Sequence, residues 1–139
     1  MKRKKKYSAI VLIFVFIAFA FSSCKKEKGA DLPTITLKSG TGYTSSSSSV
    51  PKSSILKVGI IADKNKADLR RLDITVLLAH ENTEQTKKTI YMDDNEKEHF
   101  DYDYTELKTG DDSGTQTWRF KITDKDGNLG ETSIYLTVQ

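Results

Sequence analysis

The chain has 139 residues, with 22 lysines and arginines, 19 aspartates and glutamates, two histidines and a formal net charge of +3. That length suits a single domain, and the lone cysteine, Cys24, excludes a framework of internal disulfides. Five of the basic residues and none of the acidic ones precede Cys24, so the rest of the chain holds 17 against 19, a net charge of −2. No basic surface is left to serve nucleic-acid binding, and no nucleic-acid partner is expected.

Residues 2–6 read Lys-Arg-Lys-Lys-Lys, residues 8–21 are uncharged and dominated by Ile, Val, Leu, Phe and Ala, and Ser22 and Ser23 follow. A basic start, an apolar middle and a small-residue end form the plan of an export signal. As a helix the 14 apolar residues reach about 21 Å, short of a hydrocarbon core of about 30 Å, so a retained membrane span is the weaker reading. Phe21-Ser22-Ser23-Cys24 resembles the lipobox of bacterial lipoproteins, in which an apolar residue and two small ones precede a cysteine that is diacylated, exposed by cleavage and then N-acylated. The first position of that motif is usually Leu, from which Phe21 departs. The resemblance implies a signal peptide over 1–23, lipid attachment at Cys24 and a membrane partner held through that anchor. Lys25, Lys26 and Lys28 follow at once, which no buried thiol would tolerate. By the same resemblance, Lys25 in place of Asp implies sorting to the outer membrane of a Gram-negative cell, with the periplasmic or outward face left open.

Residues 24–32 are polar and without periodicity, a flexible linker of at most about 3.4 Å per residue. From Pro33 to Gln139 apolar and polar residues alternate between turn-forming clusters, the pattern of an all-β sandwich or barrel. A first strand is expected over 34–38, with Ile35 and Leu37 on one face, followed by a loop that includes the serine run Ser45 to Ser49. Strands over 54–62 and 69–79 come next, separated by a turn at 63–68. The second of these could be drawn as a helix, but Ile74, Thr75 and Val76 are β-branched in succession and favour strand. A loop over 80–86 leads to a short strand at 88–92, and a turn at 93–98 to a strand at 100–104, where Phe100, Tyr102 and Tyr104 alternate with Asp101 and Asp103. A loop over 108–114 precedes the strand 117–123, with Trp118, Phe120 and Ile122 inward. Asp126-Gly127 supplies a hairpin turn, and 133–138 closes the domain.

The run from Gln116 to Asn128, with the terminal Ile-Tyr-Leu-Thr-Val, looks like the last hairpin of bacterial immunoglobulin-like domains; polycystic-kidney-type and cadherin-like repeats end similarly. With the lipobox, the chain is similar to small bacterial lipoproteins built from one such domain. The resemblance implies an immunoglobulin-like antiparallel β-sandwich of about seven strands over 33–139. It implies no activity, because fold does not fix function.

Few residues carry chemistry. Asp124 to Asn128 does not fit an EF-hand, since Leu129 falls where that loop needs glycine and Tyr135 where it needs a bidentate glutamate. If strands alternate in direction, Asp63, Asp68, Asp93, Asp94, Asp124 and Asp126 gather at the end where the linker enters, a possible calcium site that reads more simply as solvated turns. The opposite end then presents the serine-rich loop, Tyr43, His80 and Asp111-Asp112 to any partner. His80 and His99 fall near loop edges, no serine sits in a Gly-x-Ser-x-Gly elbow, and no zinc-protease or phosphate-loop motif occurs. Asp101 and Asp103 read as strand surface, Trp118, Tyr102 and Tyr104 as core, with Tyr43 and Tyr135 the exposed aromatics. No catalytic, cofactor-binding or metal residue is assigned and no cofactor is expected. The expectation is a non-enzymatic binding, adhesion or accessory lipoprotein of the cell envelope with a protein or glycan partner. The alternatives are an envelope assembly factor contacting other membrane proteins and a small hydrolytic enzyme.

Overall fold

The computed structural model describes residues 31–139; Cys24, the signal segment and linker residues before Asp31 lie outside the described residues. Eight strands follow one another in chain order: β1 (Thr34–Leu37), β2 (Ser48–Val50), β3 (Ile55–Asp63), β4 (Leu69–Leu78), β5 (Gln85–Tyr91), β6 (His99–Lys108), β7 (Gly114–Asp124) and β8 (Leu129–Val138). They form a three-stranded sheet in the order β1-β3-β6 and a five-stranded sheet in the order β2-β8-β7-β4-β5. This is an all-β, immunoglobulin-like sandwich.

Alternation builds the core. Val58, Ile60 and Ala62 of β3 and Phe100, Tyr104 and Leu107 of β6 face Leu72, Ile74 and Val76 of β4, Trp118, Phe120 and Ile122 of β7 and Ile134, Leu136 and Val138 of β8, all of them buried. A side-chain period of two turns every second residue of each strand onto the partner sheet. The Asp-Gly turn forms as expected: Gly127 has φ +83°, and the Asp124 carboxylate accepts hydrogen bonds from the backbone N–H and side-chain amide of Asn128, at 2.8 and 2.9 Å.

Three departures from the sequence reading concern strand number, extent and direction. The serine run contributes β2, and it pairs parallel to β8, Ser48 beside Leu136 and Val50 beside Val138, so one pairing in the sandwich is not antiparallel. The cause is a crossing: Lys38 N–H donates to Gly59 O and Thr44 N–H to Lys57 O beside β3, then Ser47 Oγ accepts from Tyr135 N–H beside β8. A stretch of serines has no apolar period to betray this. Both β5 and β6 extend past their expected bounds. Opposite Leu56 to Val58, β6 spans Leu107 to Tyr104, so it carries one extra residue. Thr105 and Glu106 are consecutively exposed and the inward phase moves from Tyr104 to Leu107. A strand read by strict alternation ends at Tyr104.

At one pole, Lys64 N–H donates to Glu98 O at 2.9 Å, Leu69 N–H to Lys97 O at 2.7 Å and Lys125 N–H to Asp68 O at 2.9 Å, so the 63–68, 93–98 and 124–128 turns sit together. The described chain begins there: Thr34 lies opposite Asp63, and Asp31 is 3.6 Å from Lys66. At the other pole the turn at 51–54 is joined to the β6–β7 loop by Ser53 N–H to Gly110 O at 3.1 Å and Thr109 N–H to Ser54 O at 2.9 Å.

Gly130 stands where β8 passes the start of β1, and a Cβ there would lie 2.3 Å from the Pro33 carbonyl oxygen. Backbone cannot swing aside as a side chain can. Gly130→Ala is expected to lower unfolding stability by about 1–3 kcal/mol, read from the urea midpoint; an unchanged midpoint would show that β1 is free to move.

Candidate functional site

At the entry pole five of the six aspartates named above are already occupied. Asp63 lies 2.6 Å from His99 Nδ1; Asp68 holds Lys64 at 3.3 Å and Lys125 at 3.1 Å. Asp93 accepts from the N–H groups of Asn95 and Glu96, Asp94 is 3.7 Å from Lys97, and Asp124 caps its own turn. Lys125, and then Lys64, hold the Asp68 carboxyl below the usual carboxylate range. Among the described residues no group of three or more His, Cys, Asp or Glu is arranged to hold a metal ion, and Asp126 is exposed at the tip of the last turn.

A second polar cluster lies on the outer face of the three-stranded sheet, and the sequence reading missed it. Lys38 pairs with Asp101 and with Asp103 at 2.8 Å, and Lys57 Nζ is 2.6 Å from Asp103. The Tyr43 hydroxyl donates to Asp103 at 3.0 Å, and Lys57 Nζ stands 4.4 Å over the Tyr43 ring. Tyr43 is therefore half-buried against this sheet, not displayed at the far pole, because the segment after β1 runs beside β3. The signal was present as parity: Lys38 and Lys57 occupy outward positions next to inward Leu37 and Leu56, and Asp101 and Asp103 do the same on β6. What it lacked was register.

Lys38, then Lys57, hold the Asp103 carboxyl well below the usual carboxylate range, and Asp101, then Asp103, push the Lys38 ammonium up. An unfolded aspartate titrates near pH 4. With the folded value the lower of the two, the cluster's contribution is complete above about pH 5 and is lost as pH falls through the unfolded value toward the folded one. Solvent exposure keeps that contribution small. Urea midpoints are expected to fall more steeply below about pH 4 in the native chain than in Asp103→Asn; parallel slopes would refute the assignment.

The pole opposite the chain entry carries two clefts that meet at Gly110 and Asp111. One, about 130 Å³, is bounded by the turn after β4, with His80 and Glu81, and by Asp112 to Gln116. The other, about 280 Å³, opens where β5 and β6, the free edges of the two sheets, approach each other. Its base is Tyr104 and Trp118, one from each sheet, and its rim is Lys87, Glu106, Lys108, Thr109 and Asp111. Tyr104 and Trp118 are core residues as expected, with ring centroids 6.4 Å apart and planes tilted by 48°. Lys88 Nζ reaches across from β5 to Glu106 at 3.2 Å. The Thr109 hydroxyl is buried, accepts Ser54 N–H at 2.8 Å and donates to Pro51 O at 3.0 Å, fixing the loop that forms one wall. The expected loop residues His80, Asp111 and Asp112 do lie at this pole. Tyr135 is exposed as expected, and the serine run crosses the flank of the sandwich instead.

No protein-family model matches the chain, and a search of curated proteins gives no match. Among solved structures it is similar to the superoxide reductase (neelaredoxin) from Ignicoccus hospitalis, at a TM-score of 0.56 and 9% identity over 79% of this chain and 83% of that one. A second structure of that reductase gives a TM-score of 0.53 at 9% identity, over 79% and 82%. A conjugative transposon lipoprotein from Bacteroides eggerthii is similar at a TM-score of 0.45 and 13% identity, over 75% of this chain and 95% of that one. The likeness to the reductase is one of fold. At these identities it agrees with the sandwich and carries no residue role, substrate or cofactor across to this chain.

Proposed function

We propose that this chain is a bacterial lipoprotein, tethered through Cys24 to the cell envelope at the outer membrane of a Gram-negative cell, whose single sandwich is a non-enzymatic binding or accessory module. The observation that carries this reading is the polarity of the domain. The described chain enters at the acidic pole, where Asp31 and Thr34 lie beside Lys66 and Asp63. Both clefts and the pinned β6–β7 loop lie at the other. A tether at the first pole presents the second to a protein or glycan partner. The lipobox resemblance and the acyl-chain energetics support the tether: one chain binds a bilayer only marginally, two or three hold it.

Photocrosslinkers at Asp112 and at Asp94, one at each pole, test the reading in intact cells. A discrete adduct from the first and none from the second is expected. Adducts from Asp94 alone, or from neither site, would overturn it.

A further inference from the structure

The larger cleft holds two donors that have no partner among the described residues. Tyr104 is 4% exposed, yet its hydroxyl makes no hydrogen bond to any described residue, and it is not among the fully enclosed atoms, so it reaches the cleft. A hydroxyl that opens to a cleft with no protein partner is left to water or to a ligand. The Lys108 ammonium, on the rim, has no carboxylate partner among the described residues. The rim carboxylates are engaged instead: Glu106 with Lys88, and Asp111 with the Ser53 hydroxyl. What remains unspent is two donors, one of them cationic.

Resting on the binding-module reading, we propose that this cleft binds a carboxylate-bearing sugar unit, the acidic end of a glycan, with Lys108 and the Tyr104 hydroxyl as its polar anchors. A volume of about 280 Å³ takes one sugar ring and is small for anything larger. A bare inorganic anion would have no donor to offer Glu106 and Asp111. Ring hydroxyls satisfy both signs of the rim, donating to the two carboxylates and accepting from Lys87 and Lys108. At the base only a sliver of Trp118 and Tyr104 is exposed, enough to meet the C–H edge of a ring and too little to stack a flat aromatic ligand. The extra residue in β6 turns Glu106 outward beside the cleft and places Lys108 on its rim. The Thr109 bonds fix the wall before any ligand arrives, which lowers the ordering cost of binding.

Trp118 is the only tryptophan in the sequence and lies in the cleft, so its emission reports occupancy directly. Full-length chain in detergent is titrated with glucuronate and galacturonate, with glucose, galactose and acetate as controls. A saturable change is expected with at least one uronate in the millimolar range and with none of the controls. Tyr104→Phe and Lys108→Gln are each expected to weaken it about tenfold or more while near-ultraviolet circular dichroism and the melting temperature stay put. Absence of response to both uronates, an equal response to neutral sugars or acetate, or native-like binding by Tyr104→Phe would overturn the proposal. Crosslinks at Asp112 with no uronate response would sink this site and leave the binding-module reading standing; uronate binding without any cellular crosslink would do the reverse.

Discussion

Phe120→Ala is expected to lower unfolding stability by about 3–5 kcal/mol and the melting temperature by at least about 12 °C. Phe120 lies on β7 inside the five-stranded sheet, between Ile74 of β4 and Thr132 of β8, and is fully buried. Truncation removes the ring from the middle of the space between the sheets. Both flanking strands are held by backbone hydrogen bonds, so the walls cannot collapse into the gap. Phe120→Leu, which keeps most of the volume, should recover much of the loss. Melting curves followed by circular dichroism and by Trp118 emission provide the measurement; a loss below about 1 kcal/mol would mean the sheets close up more readily than their registers allow.

The second large effect concerns the proposed tether. Cys24→Ser is expected to move the protein from the membrane pellet to the soluble fraction or to leave its leader uncut, because a serine oxygen cannot take the place of sulfur in a thioether-linked lipid. One acyl chain alone gives a membrane association constant of about 10⁴ M⁻¹, so two or three make attachment effectively permanent and their loss is all-or-none. Mass spectrometry distinguishes the cases. Native protein should begin at Cys24 and carry the mass of the acyl chains. A Cys24→Ser chain with its leader removed that still pelleted with membranes would refute lipid anchoring as the means of attachment.

Much of the fold was legible in local pattern. The strand 117–123 was read from Trp118, Phe120 and Ile122, and the structure extends it by three residues at its start and one at its end. The β-branched run at Ile74 to Val76 decided strand over helix in β4 correctly. The gathering of the acidic turns at the chain-entry pole followed from alternating strand direction and is borne out by the hydrogen bonds joining Lys64 to Glu98 and Lys125 to Asp68. The serine strand β2 was not legible. Neither was the slip in β6 that sends Glu106 to the rim of the larger cleft, because a single extra residue inverts the meaning of every position after it.

The candidate site was legible only in pieces. Asp111, Asp112 and His80 were placed at the free pole from loop order. Lys87, Glu106 and Lys108 carried no motif, and Tyr104 and Trp118 read as ordinary core, which they are. Their common cleft exists because β5 and β6 are the free edges of different sheets brought face to face. The Lys38, Tyr43, Lys57, Asp101 and Asp103 cluster has the same origin, since β1, β3 and β6 are neighbours in space and far apart in sequence.

By itself the amino-acid sequence determined the all-β class, the inward face of most strands and the Asp-Gly turn, because side-chain period and backbone preference act over a few residues. It also supplied the pattern from which an export signal is expected, and the lipobox likeness. Only the tertiary structure decided which strands share a sheet, where the chain crosses from one sheet to the other, and which polar groups meet without partners in a cleft. Those outcomes depend on register between distant segments, and register is fixed by the packing of two sheets against each other, which no local window contains.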